Sequence, residues 1–246
     1  MKFHIFLNGF YDLRYINFYK EQIESADDET VLICADGGIK IIERINDKFD
    51  VSLYPDVLIG DGDSVEIGNF SNLDIEVVPK IDQDRTDGEF AVTYAIEKYN
   101  CNSITIFGGL NDTKNYNTDH FLGNLKLMRF GFYLYQKNNP RGSQYHAVMR
   151  DPFQDIHFVV DSIVIKRKGS KQKIEHVSLW TDYSNTVVAS SENLRWAMKN
   201  YYIDANVPNA MRNEFVTNAQ TASINLQDGS DPVYLIHNWE STDCIG

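Results

Sequence analysis

Cationic side chains are scarce in this 246-residue chain: 23 Lys and Arg stand against 35 Asp and Glu, a formal net charge of −12. Such a balance argues against binding polyanions by bulk electrostatics, because nucleic-acid recognition rests on basic surfaces. An anionic substrate would need a metal ion or a local basic clamp. Cysteine is scarcer still. Cys34, Cys101 and Cys244 are odd in number, widely spaced and without a CxxC, so they suit a reducing compartment, as buried or incidental thiols. No stretch approaches the roughly 18 apolar residues of a membrane span. The apolar run in MKFHIFLNGF is too short for a signal peptide, and a cytoplasmic protein is expected. The two general phosphate-binding signatures, the dinucleotide fingerprint and the Walker lysine motif, are also missing. Any phosphate would be held by a less general device.

What is present suffices for a folded core, with 43% hydrophobic and 13% aromatic residues. Up to about residue 143, short apolar runs alternate with segments of helical period. FHIFLNG precedes INFYKEQIESA, TVLICADGG precedes IKIIERIND, DVLIGDGDS follows, IEVVPK precedes GEFAVTYAIEKY, and SITIFGG precedes DHFLGNLKLMRF. This pattern predicts a doubly wound α/β domain with a mostly parallel sheet. Around NNPRGS (138 to 143) the composition becomes loop-like, and helix signals nearly vanish beyond it. IHFVVDSIVIK, KIEHVSLW, NTVVAS, QTASINL and PVYLIH then read as strands without intervening helices, which predicts an all-β sandwich. Two domains are expected, 1–143 and 144–246.

Every strand candidate of the first domain except IEVVPK ends in Gly or Asp. In open α/β sheets the carboxyl ends of strands form the ligand crevice. Asn8-Gly9, Asp36-Gly37-Gly38, Asp61-Gly62-Asp63-Ser64 and Gly108-Gly109 are therefore expected to line one site. Glycine turns after strands also let backbone amides approach phosphates, although such pairs are common in ordinary turns. From Asp56 to Glu89 there are ten acidic residues and two basic ones, Lys80 and Arg85, with the excess concentrated in GDGDS and DQDRTD. Mg²⁺ takes oxygen ligands, usually a few carboxylates plus substrate phosphates. Asp36, Asp61, Asp63 and Asp87 are the candidates; taken singly, each also reads as a turn residue capping backbone amides.

These motifs carry a resemblance. ADGG (Ala35 to Gly38), Pro55-Asp56 leading into IGDGDS, PKIDQDRTD (Pro79 to Asp87), and a strand with GG followed by DHFLGN (Asp119 to Asn124) are similar, in order and spacing, to the motifs of the thiamine pyrophosphokinase family. The second half adds weaker echoes in SENLRWAM (Ser191 to Met198) and RNEF (Arg212 to Phe215). The resemblance implies Mg²⁺-dependent transfer of a diphosphate group from ATP to the hydroxyl of thiamine, giving thiamine diphosphate and AMP. It implies that Asp61, Asp63 and Asp87 hold the metal, with Asp36 beside them. It puts Gln83, Arg85 and Thr86 against the nucleotide together with Asn8, Gly37, Gly38, Gly108, Gly109, Asp119 and His120. It also implies a homodimer with thiamine bound between subunits, where Trp196, Arg212 and Asn213 of the β domain would meet it.

Several of these residues have a second reading. Arg85 and Lys114 are equally read as solvated, Asp119 as a helix N-cap, and Trp196 as a core aromatic. The chain departs from the family pattern with Asn117 where an arginine is frequent, Arg212 where a small hydroxyl residue is expected, and Asn193 and Ala197 in place of Gly and Pro. Two other functions therefore remain: the same transfer to a different small alcohol, and a non-catalytic thiamine or nucleotide binder.

Overall fold

The computed structural model describes residues 1–60, 74–82, 84–110, 118–140, 144–169 and 173–239. The chain divides into two compact units, Met1–Asp151 and Pro152–Gly246. The N-terminal unit holds strands β1 (Lys2–Phe6), β2 (Thr30–Ala35), β3 (Val57–Gly60), β4 (Glu76–Pro79), β5 (Ser103–Phe107) and β6 (His146–Arg150), with helices α1 (Ile16–Glu24), α2 (Ile39–Phe49), α3 (Asp87–Tyr99) and α4 (Thr118–Asn138). All strand pairs in this unit are parallel, in the order β6-β5-β1-β2-β3-β4. The doubly wound expectation is met. Strand β6 carries no strong pattern in the sequence, yet it pairs with β5 from Ser103↔His146 onward. It lies beyond residue 143, on the far side of the division expected from composition.

Parallel strands covered on both faces are apolar along their length, and TVLICA shows it: Leu32 to Ala35 are all buried. Helices α1 and α2 cover one face. Ile16, Tyr19 and Ile23, three and four residues apart, join Ile39, Ile42 and Ile45 against Phe6, Cys34, Leu58 and Phe107. Helix α3 packs on β1, β2 and β3 and against α4. The latter runs eight residues past the predicted LMRF, burying Phe132 and Tyr135. Helix α3 starts where the Thr86 hydroxyl accepts from the Glu89 N–H at 3.1 Å, and it ends at Asn100 in the left-handed region. The Cys34 and Cys101 thiols are free and buried, and burial pushes both upward, Cys101 to about 11. Cys244 lies outside the described residues.

Strand order also locates the crevice. The chain runs outward from β1 through β2 and β3 to β4, then returns to the other side of β1 for β5. The winding therefore reverses between β1 and β5, and ligands of open α/β sheets bind outside the carboxyl ends at such a switch point.

The C-terminal unit is all β. Strands β7 (Gln154–Val159), β8 (Ser162–Lys166), β9 (His176–Trp180), β10 (Thr186–Glu192), β11 (Lys199–Ile203), β12 (Asn213–Glu214), β13 (Thr221–Leu226) and β14 (Val233–Asn238) form two antiparallel layers, β12-β9-β14-β7 and β11-β10-β13-β8. Val177, Leu179 and Leu235 of one layer share a core with Val188, Ile203 and Ile224 of the other, as in a sandwich. The single run IHFVVDSIVIK turns at Val160-Asp161, so that β7 and β8 enter different layers.

Candidate active site

The ends of β1 and β5 touch at the switch point. A Cβ on Gly9 would stand 1.8 Å from the Gly108 carbonyl oxygen, so only glycine permits this approach. Gly108 itself has φ +73°, with the Tyr11 ring against it. After β2, the chain turns through Asp36-Gly37-Gly38 in a short 3-10 turn, with Asp36 at φ 49°. A Cβ on Gly37 would meet the Asn8 side chain at 2.6 Å, and one on Gly38 the Phe6 carbonyl oxygen at 1.9 Å. The ADGG turn thus seats on the end of β1. Asn8 donates through Nδ2 to Asp36 Oδ2 at 2.8 Å, which fixes the carboxylate's direction.

These ends, with the first turns of α3 and α4, line a cavity of about 840 Å³ in the N-terminal unit. The expected residues Asn8, Asp36, Arg85, Thr86, Asp87, Gly108, Asp119 and His120 all line it. Gly37, Gly38 and Gly109 support it from behind: the first two are buried in the turn, and the Gly109 carbonyl accepts from Asn124 Nδ2 at 3.0 Å. Asp119 sits within the first turn of α4, where its charge suits the helix dipole, and does not cap the helix from outside. Asp61, Asp63, Gln83, Lys114 and Asn117 lie outside the described residues. The approach to GDGD is nevertheless defined, because a Cβ on Gly60 would be 3.3 Å from Asp36 Cα.

Asp87 carries the electrostatic signature of the site. Burial pushes its pKa upward, the Asp36 charge adds to that, and Lys80 opposes it. Its Oδ1 is buried without a hydrogen-bond partner among the described residues, with Lys80 Nζ 3.5 Å away. An orphaned, partly desolvated carboxylate oxygen beside a second carboxylate fits a hard divalent cation. Among the described residues, no group of three His, Cys, Asp or Glu side chains is disposed to hold a metal by itself.

Sequence reasoning missed Lys80, Glu89 and Asn124, and also the apolar side of the cavity, where Leu7, Leu110, Leu127 and Phe130 stand. Only Lys80 had a signal, as one of two cations in a strongly acidic stretch. Apolar lining residues look like core residues in a sequence, since nothing in their spacing tells a wall from an interior.

Trp196, Arg212 and Asn213 lie together in the C-terminal unit. Asn213 Nδ2 donates to the Trp196 carbonyl at 2.7 Å, and Asn213 Oδ1 accepts from the Trp196 N–H at 3.1 Å. The Trp196 ring is half exposed with the Arg195 guanidinium over it, so it is no core aromatic. Arg212 occupies the left-handed region at φ 60°, and its guanidinium lies 2.9 Å from His176 Nε2.

Residues 23–139 match the family described as the catalytic domain of thiamin pyrophosphokinase. The whole fold resembles solved structures of thiamine pyrophosphokinases. The one from Bacillus subtilis gives a TM-score of 0.70 at 18% identity, covering 99% of this chain and 100% of that one. The yeast structure gives 0.68 at 16%, covering 97% and 86%, and that from Candida albicans 0.68 at 12%, covering 97% and 89%. At these identities the likeness is one of fold. No curated protein matches the sequence significantly.

Proposed function

With residues 23–139 a thiamin pyrophosphokinase catalytic domain, we propose that this chain transfers a diphosphate group from ATP to the hydroxyl of thiamine, releasing AMP. The observation that carries the reading is the meeting of Asn8, Asp36 and Gly108 with the first turns of α3 and α4 around one cavity at the switch point. In the reaction the thiamine hydroxyl oxygen bonds to the β-phosphorus, the bond from the β-phosphorus to the α,β-bridging oxygen breaks, and the hydroxyl proton leaves to a base or to water. Such transfers depend mostly on positioning and charge neutralisation. Asp61, Asp63 and Asp87 are assigned to Mg²⁺, with Asp36 held toward the same place by Asn8. When bound, the metal supplies neutralisation of polyphosphate charge.

The chain's own groups do the rest. Gly108 and Gly9 open backbone to the nucleotide, as do the free N–H groups that begin α3 and α4, and Gln83, Arg85, Thr86, Asp119 and His120 border it. The apolar side at Leu110, Leu127 and Phe130 suits a planar base. Trp196, Arg212 and Asn213 are assigned to thiamine across a homodimer, and that assignment rests on the family resemblance. A cytoplasmic location accords with two free buried thiols and with helices none of which is long and apolar enough to cross a membrane among the described residues.

The test is incubation of the purified protein with ATP, Mg²⁺ and thiamine, with AMP and thiamine diphosphate quantified. Equal amounts of both products are expected. One observation favours a second reading: Arg212 puts a cation in the segment assigned to a cationic substrate. ATP consumed to AMP without thiamine diphosphate, but with another small alcohol as acceptor, would establish that reading. Tight binding with no turnover, surviving Asp61→Asn and Asp63→Asn, would instead make the protein a binder.

A further inference from the structure

We infer that Lys80 is a phosphate-binding residue of the cavity, its ammonium contacting the polyphosphate directly. The inference builds on the reading above, that this cavity takes a nucleotide polyphosphate.

Lys80 follows the last residue of the edge strand β4, and its backbone N–H donates to the Gly60 carbonyl at 3.0 Å. That bond pins the lysine beside the start of GDGD. Its side chain is only 9% exposed, yet it lines the cavity, so the stem is covered and the ammonium faces inward. Burying an ammonium is costly unless charge and hydrogen bonds compensate. Among the described residues, its ion pair is with Asp87 Oδ1 at 3.5 Å, well beyond the roughly 2.7–2.9 Å of a charge-assisted hydrogen bond. An ammonium has three donors, and one distant oxygen leaves them largely unused.

The other cations of the wall are engaged or in solvent. The Arg85 guanidinium approaches Asp82 at 3.5 Å and Glu89 at 3.8 Å and is 43% exposed, while Lys126 is exposed on α4. The wall itself is acidic, with Asp36, Asp87, Glu89 and Asp119. A polyphosphate therefore meets net repulsion unless fixed positive groups accompany the metal. Lys80 is the most covered of the wall's lysine and arginine side chains. Polyphosphate oxygens would engage the donors that Asp87 leaves unused. The competing role is neutralisation of Asp87 alone.

The experiment is calorimetric titration of the whole protein in EDTA with inorganic tripolyphosphate and, separately, with adenosine. Lys80→Gln is expected to weaken tripolyphosphate binding about tenfold, the loss of one charge-assisted contact, and to leave adenosine binding unchanged. Lys80→Arg should keep most of the affinity, since the charge remains. The same tenfold loss is expected when Lys80→Gln is made in an Asp87→Asn background. If the loss vanishes there, Lys80 acts only through Asp87 and the inference is overturned. It is also overturned if folded Lys80→Gln binds tripolyphosphate as tightly as the parent, or if the parent binds none. Because no turnover is read, a lysine-dependent tripolyphosphate affinity would stand even if thiamine diphosphate never formed.

Discussion

At the scale of single residues, Asp87 separates activity from stability. Its pKa is raised chiefly by burial, so the ionised carboxylate costs folding energy and serves something other than the fold. Asp87→Asn should lower turnover by on the order of 10²-fold or more while the melting temperature holds or rises, checked by product formation and thermal unfolding. A clear loss of stability with activity intact would remove the metal assignment. His4 makes the opposite kind of prediction. It stands at the edge of the Phe107 ring, and burial, with help from Arg150 and Lys2, lowers its pKa to about 4. The unfolded chain takes up this proton near the ordinary histidine value of about 6.5, so between pH 6.5 and 4 the unfolded state binds more protons. Stability from the neutral ring is complete above pH 6.5 and drains away as the pH falls toward 4, by up to about 3 kcal/mol. His4→Phe should flatten that part of a denaturation-against-pH curve. Of these two residues, only Asp87 was legible in the sequence, because a carboxylate in a turn motif signals chemistry, whereas a histidine in FHIF looks like any strand residue.

At the scale of elements, the glycine turns carry the site. Gly9→Ala forces a Cβ to 1.8 Å from the Gly108 carbonyl oxygen, and no rotamer relieves a backbone clash. The ends of β1 and β5 must part, so the variant should melt several degrees lower, on a scale of about 2–4 °C per kcal/mol, and should lose nucleotide affinity as well. Gly123→Ala in α4 meets nothing within 4 Å and should instead raise stability by up to about 1 kcal/mol through helix propensity, measured by denaturant titration. The strands that end in Gly or Asp were readable because the chain announces its turns with those residues. Strand β6 and the last eight residues of α4 were not. HAVMR is a five-residue apolar run without clear period, and GFYLYQKN has aromatics that fit strand or helix alike. Pairing with β5 decides the first, and burial of Phe132 and Tyr135 decides the second.

At the scale of the whole molecule, the two units are stabilised differently. The N-terminal unit relies on apolar layers on both faces of its sheet, while the sandwich also buries a polar cluster. Glu175 and His237, each about 1% exposed, meet at 2.6 Å, and the N–H groups of Lys168 and Gly169 donate to the same carboxylate. Burial alone would raise the Glu175 pKa, but His237 and these N–H groups hold it below its ordinary value. The pair's contribution is thus present above about pH 4.5 and is lost as the pH falls through the lowered value. Glu175→Ala leaves His237 and two N–H groups unsatisfied and should cost about 3 kcal/mol at neutral pH, with a shallower acid transition, read by circular dichroism. The sequence by itself determined the division into an α/β and an all-β half, the glycine turns, and the acidic motifs, because periodicity and turn chemistry are local properties of the chain. Only the tertiary structure decided that Asn8, Asp36, Asp87 and Asp119 face one cavity, that Lys80 turns inward beside Asp87, and that Glu175 is buried on His237. Those are contacts between residues far apart in the chain or set by burial, and burial depends on the order in which strands assemble.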